Sequence, residues 1–253
     1  MPPKQSVIFS DLGQMGYLEA WDLQENLLRQ NVDAKIRKRS ATVLAPADSA
    51  MTDEAEYETS HYFLMVEHPP VLTLGKSGHM ENVLTSEAEL RKKGIEFFKT
   101  NRGGDITFHG PGQIVGYPIL DLEKYYTDIG LYLRSLEELI MLTLAEYGLK
   151  GERSPGETGV WLDAHKPGFE RKICAMGVRC SRWVTMHGFA FNVNTALDYF
   201  DHIVPCGIKH KSVTSLKKEL GFDLSMEEVK GKIKSNFEKV FNCELLASAY
   251  PVV

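Results

Sequence analysis

Residues 102–117 read Arg102-Gly103-Gly104-Asp105-Ile106-Thr107-Phe108-His109-Gly110-Pro111-Gly112-Gln113-Ile114-Val115-Gly116-Tyr117. Five glycines, a proline, an arginine, a histidine and a glutamine interrupt what would otherwise be two strands. Turning a corner requires less backbone freedom and less polar chemistry than this. Glycine lets main chain approach a bound group closely and take positive φ, and Arg102 and His109 add polar groups at the same place. By itself the stretch also reads as a glycine-rich hairpin connection.

Toward the N-terminus, Ile95 to Phe98 reads as a strand entering this loop, and Glu87 to Lys93 as a short helix. Tyr62 to Val66 and Val71 to Leu74 read as strands broken by Pro69-Pro70. Residues 42–60, rich in Ala, Ser, Thr, Asp and Glu, read as a loop or loose helix. Leu18, Trp21, Leu28, Val32 and Ile36 recur at helical spacing and predict an amphipathic helix to about Lys38, preceded by a short strand, Val7 to Phe9. Toward the C-terminus, Ile114 to Leu120 is a strand. Ile129 to Tyr147 is a helix with Leu133, Leu136, Ile140 and Leu144 on one side and Gly148 at its end. Val160 to Asp163 and Arg171 to Val178 form a hairpin around Lys166-Pro167-Gly168, and Trp183 to Val193 is a further strand. Ser225 precedes Glu228 at capping-box spacing, opening a helix to Phe241. Strands and helices without a repeated βαβ rhythm argue for an α+β fold.

Composition excludes more than it selects. The 253 residues suit one sizeable core, and 43% hydrophobic with 25% charged residues is ordinary for a globular chain. A net charge of -5 offers no electrostatic case for nucleic acid. No apolar leader opens the chain and no stretch reaches membrane-spanning length, so the expected partners include no membrane. Four cysteines do not make a disulfide scaffold, and the spacing of Cys174 and Cys180 is not that of a metal site. A reducing cytoplasm is the expected location. Neither a metal nor a dissociable cofactor is suggested.

With the loop motif in hand, the chain resembles the lipoyl(octanoyl) transferases of lipoate biosynthesis. The likeness rests on Arg102-Gly103-Gly104, then Thr107-Phe108-His109-Gly110-Pro111-Gly112-Gln113 and Tyr117. Before it come Asp11-Leu12-Gly13, Tyr17, Ala20-Trp21, Leu23-Gln24 and Glu67-His68-Pro69-Pro70-Val71 running into Thr73-Leu74-Gly75. After it come Gly159-Val160-Trp161, Lys172-Ile173, His187-Gly188, Asn192-Val193-Asn194 and Pro205-Cys206-Gly207, in the family's order. The resemblance implies the fold of biotin and lipoate protein ligases, a mixed sheet flanked by helices. It implies one catalytic domain over residues 1–253, with a small C-terminal helical portion at about 212–253.

It also implies a mechanism. Cys206 matches the family's acyl-accepting cysteine, although a lone cysteine between proline and glycine otherwise reads as structural. A thiol of ordinary pKa is only about 3% ionised at pH 7, so a positive neighbour is needed. Lys172 matches the lysine that fills this role, where its residues alone would equally suit an edge strand. Arg171 points to the opposite face of the strand. Octanoyl would pass from acyl carrier protein to Cys206 and then to a lysine amine, with Lys172 as proton relay and amides around Gly177 and Gly188 as oxyanion donors. The acyl-binding segments implied are Arg102 to His109 (through Gly103, Gly104, Asp105, Ile106, Thr107 and Phe108), Ala175-Met176-Gly177 and Gly188-Phe189-Ala190. His187 and Tyr117 are weaker candidates, and His61, His68 and His79 need no role. Cys174 departs from the family's small residue there. Strand spacing puts it on the face of Lys172, as a packing residue or as a redox-sensitive neighbour of the site.

The implied partners are octanoyl-acyl carrier protein as donor. As acceptors they are the lipoyl domains of 2-oxoacid dehydrogenase complexes and the glycine cleavage H protein. Lys209-His210-Lys211 is a candidate docking patch. Three other readings stay open: an ATP-dependent lipoate ligase, an octanoyl amidotransferase, and an inactive binding module of the same fold.

Overall fold

The structure, a computed structural model, describes residues 4–44, 57–204 and 212–248. Its main sheet has eight strands in the order β10-β8-β9-β6-β2-β1-β11, with β7 also on β8. These are β1 (Gln5–Gln14), β2 (His61–Glu67), β6 (Gln113–Ile119), β7 (Val160–Leu162), β8 (Arg171–Ser181), β9 (Val184–Asn192), β10 (Ser212–Val213) and β11 (Cys243–Ala247). A second sheet runs β4-β3-β5, from β3 (Val71–Leu74), β4 (Glu96–Lys99) and β5 (Ile106–His109). Both sheets are mixed: β1 runs parallel to β2 and β11, β10 parallel to β8 and β3 parallel to β4, and the remaining pairs are antiparallel.

Strand β2 shows why the large sheet needs helices on both faces. Its side chains alternate, as strand geometry requires, and both sets are apolar. Phe63 and Met65 join a core with α3 (Ile129–Ala145) and α5 (Met226–Phe241), whereas Tyr62, Leu64 and Val66 join a second core under α1 (Tyr17–Leu44). Phe63 stacks on Phe237 of α5 at 4.2 Å between centroids. The second sheet buries Leu72, Leu74, Ile106 and Phe108 with Leu90 of α2 (Glu87–Lys92) and Phe200, forming a third core. The helix ends follow local chemistry. Asp128 caps α3 and Ser225 caps α5 by accepting from Leu131 and Glu228 N–H, and Gly148, at φ +72°, closes the end of α3.

Three expectations change. Helix α1 exists and runs on to Leu44, but its buried stripe is Tyr17, Ala20, Gln24, Leu27 and Asn31, while Leu18 and Ile36 are exposed. The inner face carries polar groups because strand and loop backbone needs partners there. Gln24 Oε1 accepts from His187 N–H, and Asn31 exchanges two bonds with Ser60. The glycine loop is also not all loop, since Ile106–His109 forms β5. Of the stretch 42–60, positions 42–44 belong to α1, and 45–56 lie outside the described residues. Strands β10 and β11 and the short α4 (Leu216–Leu220) have no counterpart in the sequence reading.

Candidate active site

Residues 102–105 lie in the connection from β4 to β5 of the small sheet and pass against β8 of the large one, and Arg102 with Gly103 ties the two together. Its guanidinium donates to the Thr73 carbonyl and hydroxyl on β3 and to Gly103 O, while Gly103 N–H donates to Val178 O on β8 at 2.9 Å. Such close contact of main chains depends on Gly177. A Cβ there would lie 2.6 Å from Gly103 O, well inside contact distance. The gap left between the sheets is a cavity of about 500 Å³, a size typical of small-molecule sites.

Every expected segment contributes to this cavity. Lys172, the stretch from Arg102 to Thr107, His109, Ala175 to Gly177 and Gly188 to Ala190 all line it. Phe108 is the exception. Its ring is buried in the third core, stacked on Tyr199 at 4.6 Å, because alternation along β5 turns it away. Cys206 lies outside the described residues, as do Lys209 and Lys211. Lining residues not expected from sequence include Ile129 and Leu133 at the start of α3, and Gly156, Glu157 and Thr158. Leu133 already carried an apolar-face signal, and Pro155-Gly156 a turn signal, but neither periodicity nor composition says which turn faces a cavity. Tyr17, Gln113, Tyr117, His187 and Asn192 also line it. Each belongs to a motif quoted above, Tyr117 and His187 as weaker candidates and the other three without an assigned contact.

Adjacent residues of β8 part company. Arg171 pairs with Asp163 at 2.5 Å and Glu219 at 2.6 Å, while Lys172, only 9% exposed, turns to the cavity with Nζ 4.6 Å from the Trp161 ring centroid. The β7–β8 register shifts between Val160 and Trp161, so Cys174 does not follow Lys172 to the cavity. Cys174 is fully buried in the core of α3 and α5, and burial holds its thiol well above its usual pKa. It is a packing residue.

Hydrogen bonds assign the ring protons around the cavity. Gln113 Nε2 donates to Phe108 O and Asn192 Oδ1, so its Oε1 faces His109 Nδ1 at 2.9 Å and that nitrogen carries the proton. Thr73 Oγ1 accepts from Arg102, leaving its hydroxyl proton for His109 Nε2 at 3.2 Å. Both ring nitrogens of His109 are thereby engaged, and burial holds the ring neutral. His68 likewise donates from Nδ1 to Met15 O and accepts from Tyr117 Oη, each at 2.8 Å, with its pKa pushed down to about 4 by burial. Tyr17 stacks on His109 with ring planes 12° apart, and its pKa is pushed up to about 12 by burial, with Arg102 opposing. A mostly apolar chamber with fixed dipoles and two cations, Arg102 and Lys172, suits an apolar acyl group whose carbonyl end meets the polar wall.

Comparisons with known proteins agree with this chemistry. Residues 16–238 match the family described as the lipoyl protein ligase A/B catalytic domain. An octanoyltransferase of Christiangramia forsetii is 59% identical over 93% of this chain and 95% of its own length. One from Flavobacterium psychrophilum is 56% identical over 96% and 99%. Among solved structures, the bipartite lipoate protein ligase of Thermoplasma acidophilum superposes with a TM-score of 0.65 at 16% identity, covering 97% of this chain and 87% of that one. A lipoate-protein ligase A bound with ATP gives 0.64 at 14% identity, covering 97% and 89%. At such identities the two solved structures share the fold.

Proposed function

This chain belongs to the octanoyltransferases within the lipoyl protein ligase A/B catalytic family, acyltransferases of protein lipoylation, and we propose that it works through a thioester on Cys206. The donor is octanoyl-acyl carrier protein. The acceptors are lysines of lipoyl domains, in 2-oxoacid dehydrogenase complexes and in the glycine cleavage H protein, and the reaction belongs in the cytoplasm. No helix among the described residues is long and apolar enough to cross a membrane. Residues 1–253 act as one catalytic domain, in support of which α5 and β11 complete the core and sheet that β1 begins.

One observation carries the reading: a buried ammonium, Lys172, lines an otherwise largely apolar cavity. The chain that follows Cys206 rejoins the sheet at Ser212–Val213, hydrogen-bonded alongside Arg171–Lys172. A cation in that position stabilises a thiolate, and each pKa unit is worth about 1.4 kcal/mol. Cys206 S⁻ attacks the donor thioester carbonyl, and the carrier thiolate departs and takes a proton from Lys172, which leaves that amine neutral. The acceptor amine then attacks the Cys206 thioester, the C–S bond breaks, and Lys172 relays the amine proton to the leaving sulfur. The cavity segments, Arg102 to Thr107 with His109, Ala175 to Gly177 and Gly188 to Ala190, hold the acyl chain and its carbonyl.

Intact-mass analysis after incubation with octanoyl-acyl carrier protein tests this. The expected result is one octanoyl adduct, discharged by a lipoyl domain and absent from Cys206→Ser. An adduct retained in Cys206→Ser would move the nucleophile elsewhere. Transfer from free octanoate with ATP, and none from the carrier, would make the enzyme a ligase of the same fold.

A further inference from the structure

Glu137 is 0% exposed, on a helix whose other buried positions carry no charge. A buried carboxylate is costly to keep unless its oxygens are paired. Oε2 meets Arg134 at 2.6 Å and Arg153 Nε at 3.0 Å, and both arginines reach solvent. Oε1 is used differently: it accepts the Gly159 N–H at 3.0 Å, tying α3 to the chain that enters β7.

That chain is part of the site. Gly156, Glu157 and Thr158 line the cavity. Gly159 holds φ +117°, a backbone conformation left to glycine. A Cβ there would lie 2.5 Å from Cys174 O and 3.6 Å from Lys172 Cε, so the Gly159 backbone abuts both β8 and the end of the Lys172 stem. Two residues on, the Trp161 ring lies 4.6 Å from Lys172 Nζ. Between these two contacts the β7–β8 register shifts, Val160 facing Cys174 and Trp161 facing Lys172. A three-residue strand with a shifted register has little pairing of its own to hold that place. Glu152 and Trp161 exchange two backbone bonds at the base of the turn, which leaves Gly159 to be held by Glu137.

We infer that Glu137 is a positioning residue for Lys172, fixing Gly159 so that its backbone and the Trp161 ring keep the Lys172 amine at one place in the cavity. Glu137 does not itself line the cavity and acts through the lysine. This deepens the proposed function and rests on it for the consequence at Cys206.

Three variants and two readouts test it. Glu137→Leu removes both oxygens, Glu137→Gln keeps an Oε1 acceptor for Gly159, and Arg134→Met removes one partner of Oε2 alone. In protein labelled with ¹³C-lysine, the Lys172 ε-methylene signal, assigned by its loss in Lys172→Met, should be shifted upfield by the Trp161 ring. It should stay so in Glu137→Gln and Arg134→Met and move toward the values of exposed lysines in Glu137→Leu. Alkylation of Cys206 by iodoacetamide against pH, read by peptide mass, is the second readout. Its midpoint should rise by about one unit in Glu137→Leu, a tenfold loss of thiolate at pH 7. That is the direction of Lys172→Met, and Glu137→Gln should move it by less than half as much. Where Glu137→Leu does not fold, Glu137→Asp replaces it with the same expected direction, since it keeps the charge among the arginines and draws back from Gly159. An unmoved Lys172 signal, equal effects in all three variants, or a midpoint raised in Lys172→Met alone overturns the inference. A moved signal with a midpoint that neither Glu137→Leu nor Lys172→Met changes supports the positioning role and instead removes the Lys172–Cys206 pairing of the proposed function.

Discussion

Arg171 and Lys172 are neighbours with the same charge and opposite surroundings, one held by two carboxylates at the surface and one turned into the cavity. Lys172→Met keeps much of the stem against Trp161 and deletes the charge. The thiolate fraction at Cys206 should then fall about tenfold for each unit its pKa rises, so octanoyl-enzyme formation drops a hundredfold or so at pH 7 and recovers toward pH 9. A rate loss that ignores pH would assign Lys172 a packing role. The residue scale is also where sequence reading is sharpest and where it failed once. Strand alternation allowed only one of Arg171 and Lys172 to aim inward, and the family resemblance chose Lys172. A one-residue register shift in β7–β8, invisible in sequence, removed Cys174 from the face of Lys172.

Whole elements decide what single positions cannot. Strand β5 sends Thr107 and His109 toward the cavity and Phe108 into the third core, against Tyr199 and Phe200. Phe108→Ala should therefore cost about 3–5 kcal/mol of stability, as large core truncations do, seen as a lower urea midpoint with KM for octanoyl donors nearly unchanged. A KM effect without destabilisation would return Phe108 to the acyl-binding set. Gly177→Ala acts oppositely. Its methyl meets Gly103 backbone at 2.6 Å, so the 102–105 segment must shift, and KM should rise several-fold with a modest change in melting temperature. Helix α1 was legible as a helix, but its buried face was not, because polar Gln24 and Asn31 hold inward positions that an apolar count assigns to solvent.

At the scale of the molecule, burial of histidines makes stability depend on pH. His61, His68 and His187 have folded-state pKa values pushed down to about 4, 4 and 3, chiefly by burial, and His109 lies well below its ordinary value. Unfolded histidines titrate near 6.5, so below that pH the unfolded chain binds protons that the folded chain refuses. Stability is complete above about pH 6.5 and declines as pH falls toward 4. At pH 5 each of the three should cost about 2 kcal/mol, a large share of the ~5–15 kcal/mol a domain has. Urea midpoints that stay level from pH 8 to 5 would refute this. The cavity between the sheets sets a second expectation. Each methylene removed from the acyl donor should weaken binding by up to about fourfold, at ~0.8 kcal/mol per buried CH₂, read from donor KM across chain lengths. By itself the sequence determined the α+β class, most strands and helices, the family and the segments that line the site. Those depend on local periodicity, turn chemistry and short motifs. Tertiary structure alone decided that β11 returns to lie beside β1, that Phe108 faces away, and that Glu137 meets Gly159 beside Lys172. Such facts depend on which distant groups meet and satisfy one another's hydrogen bonds, and no spacing along the chain encodes that meeting.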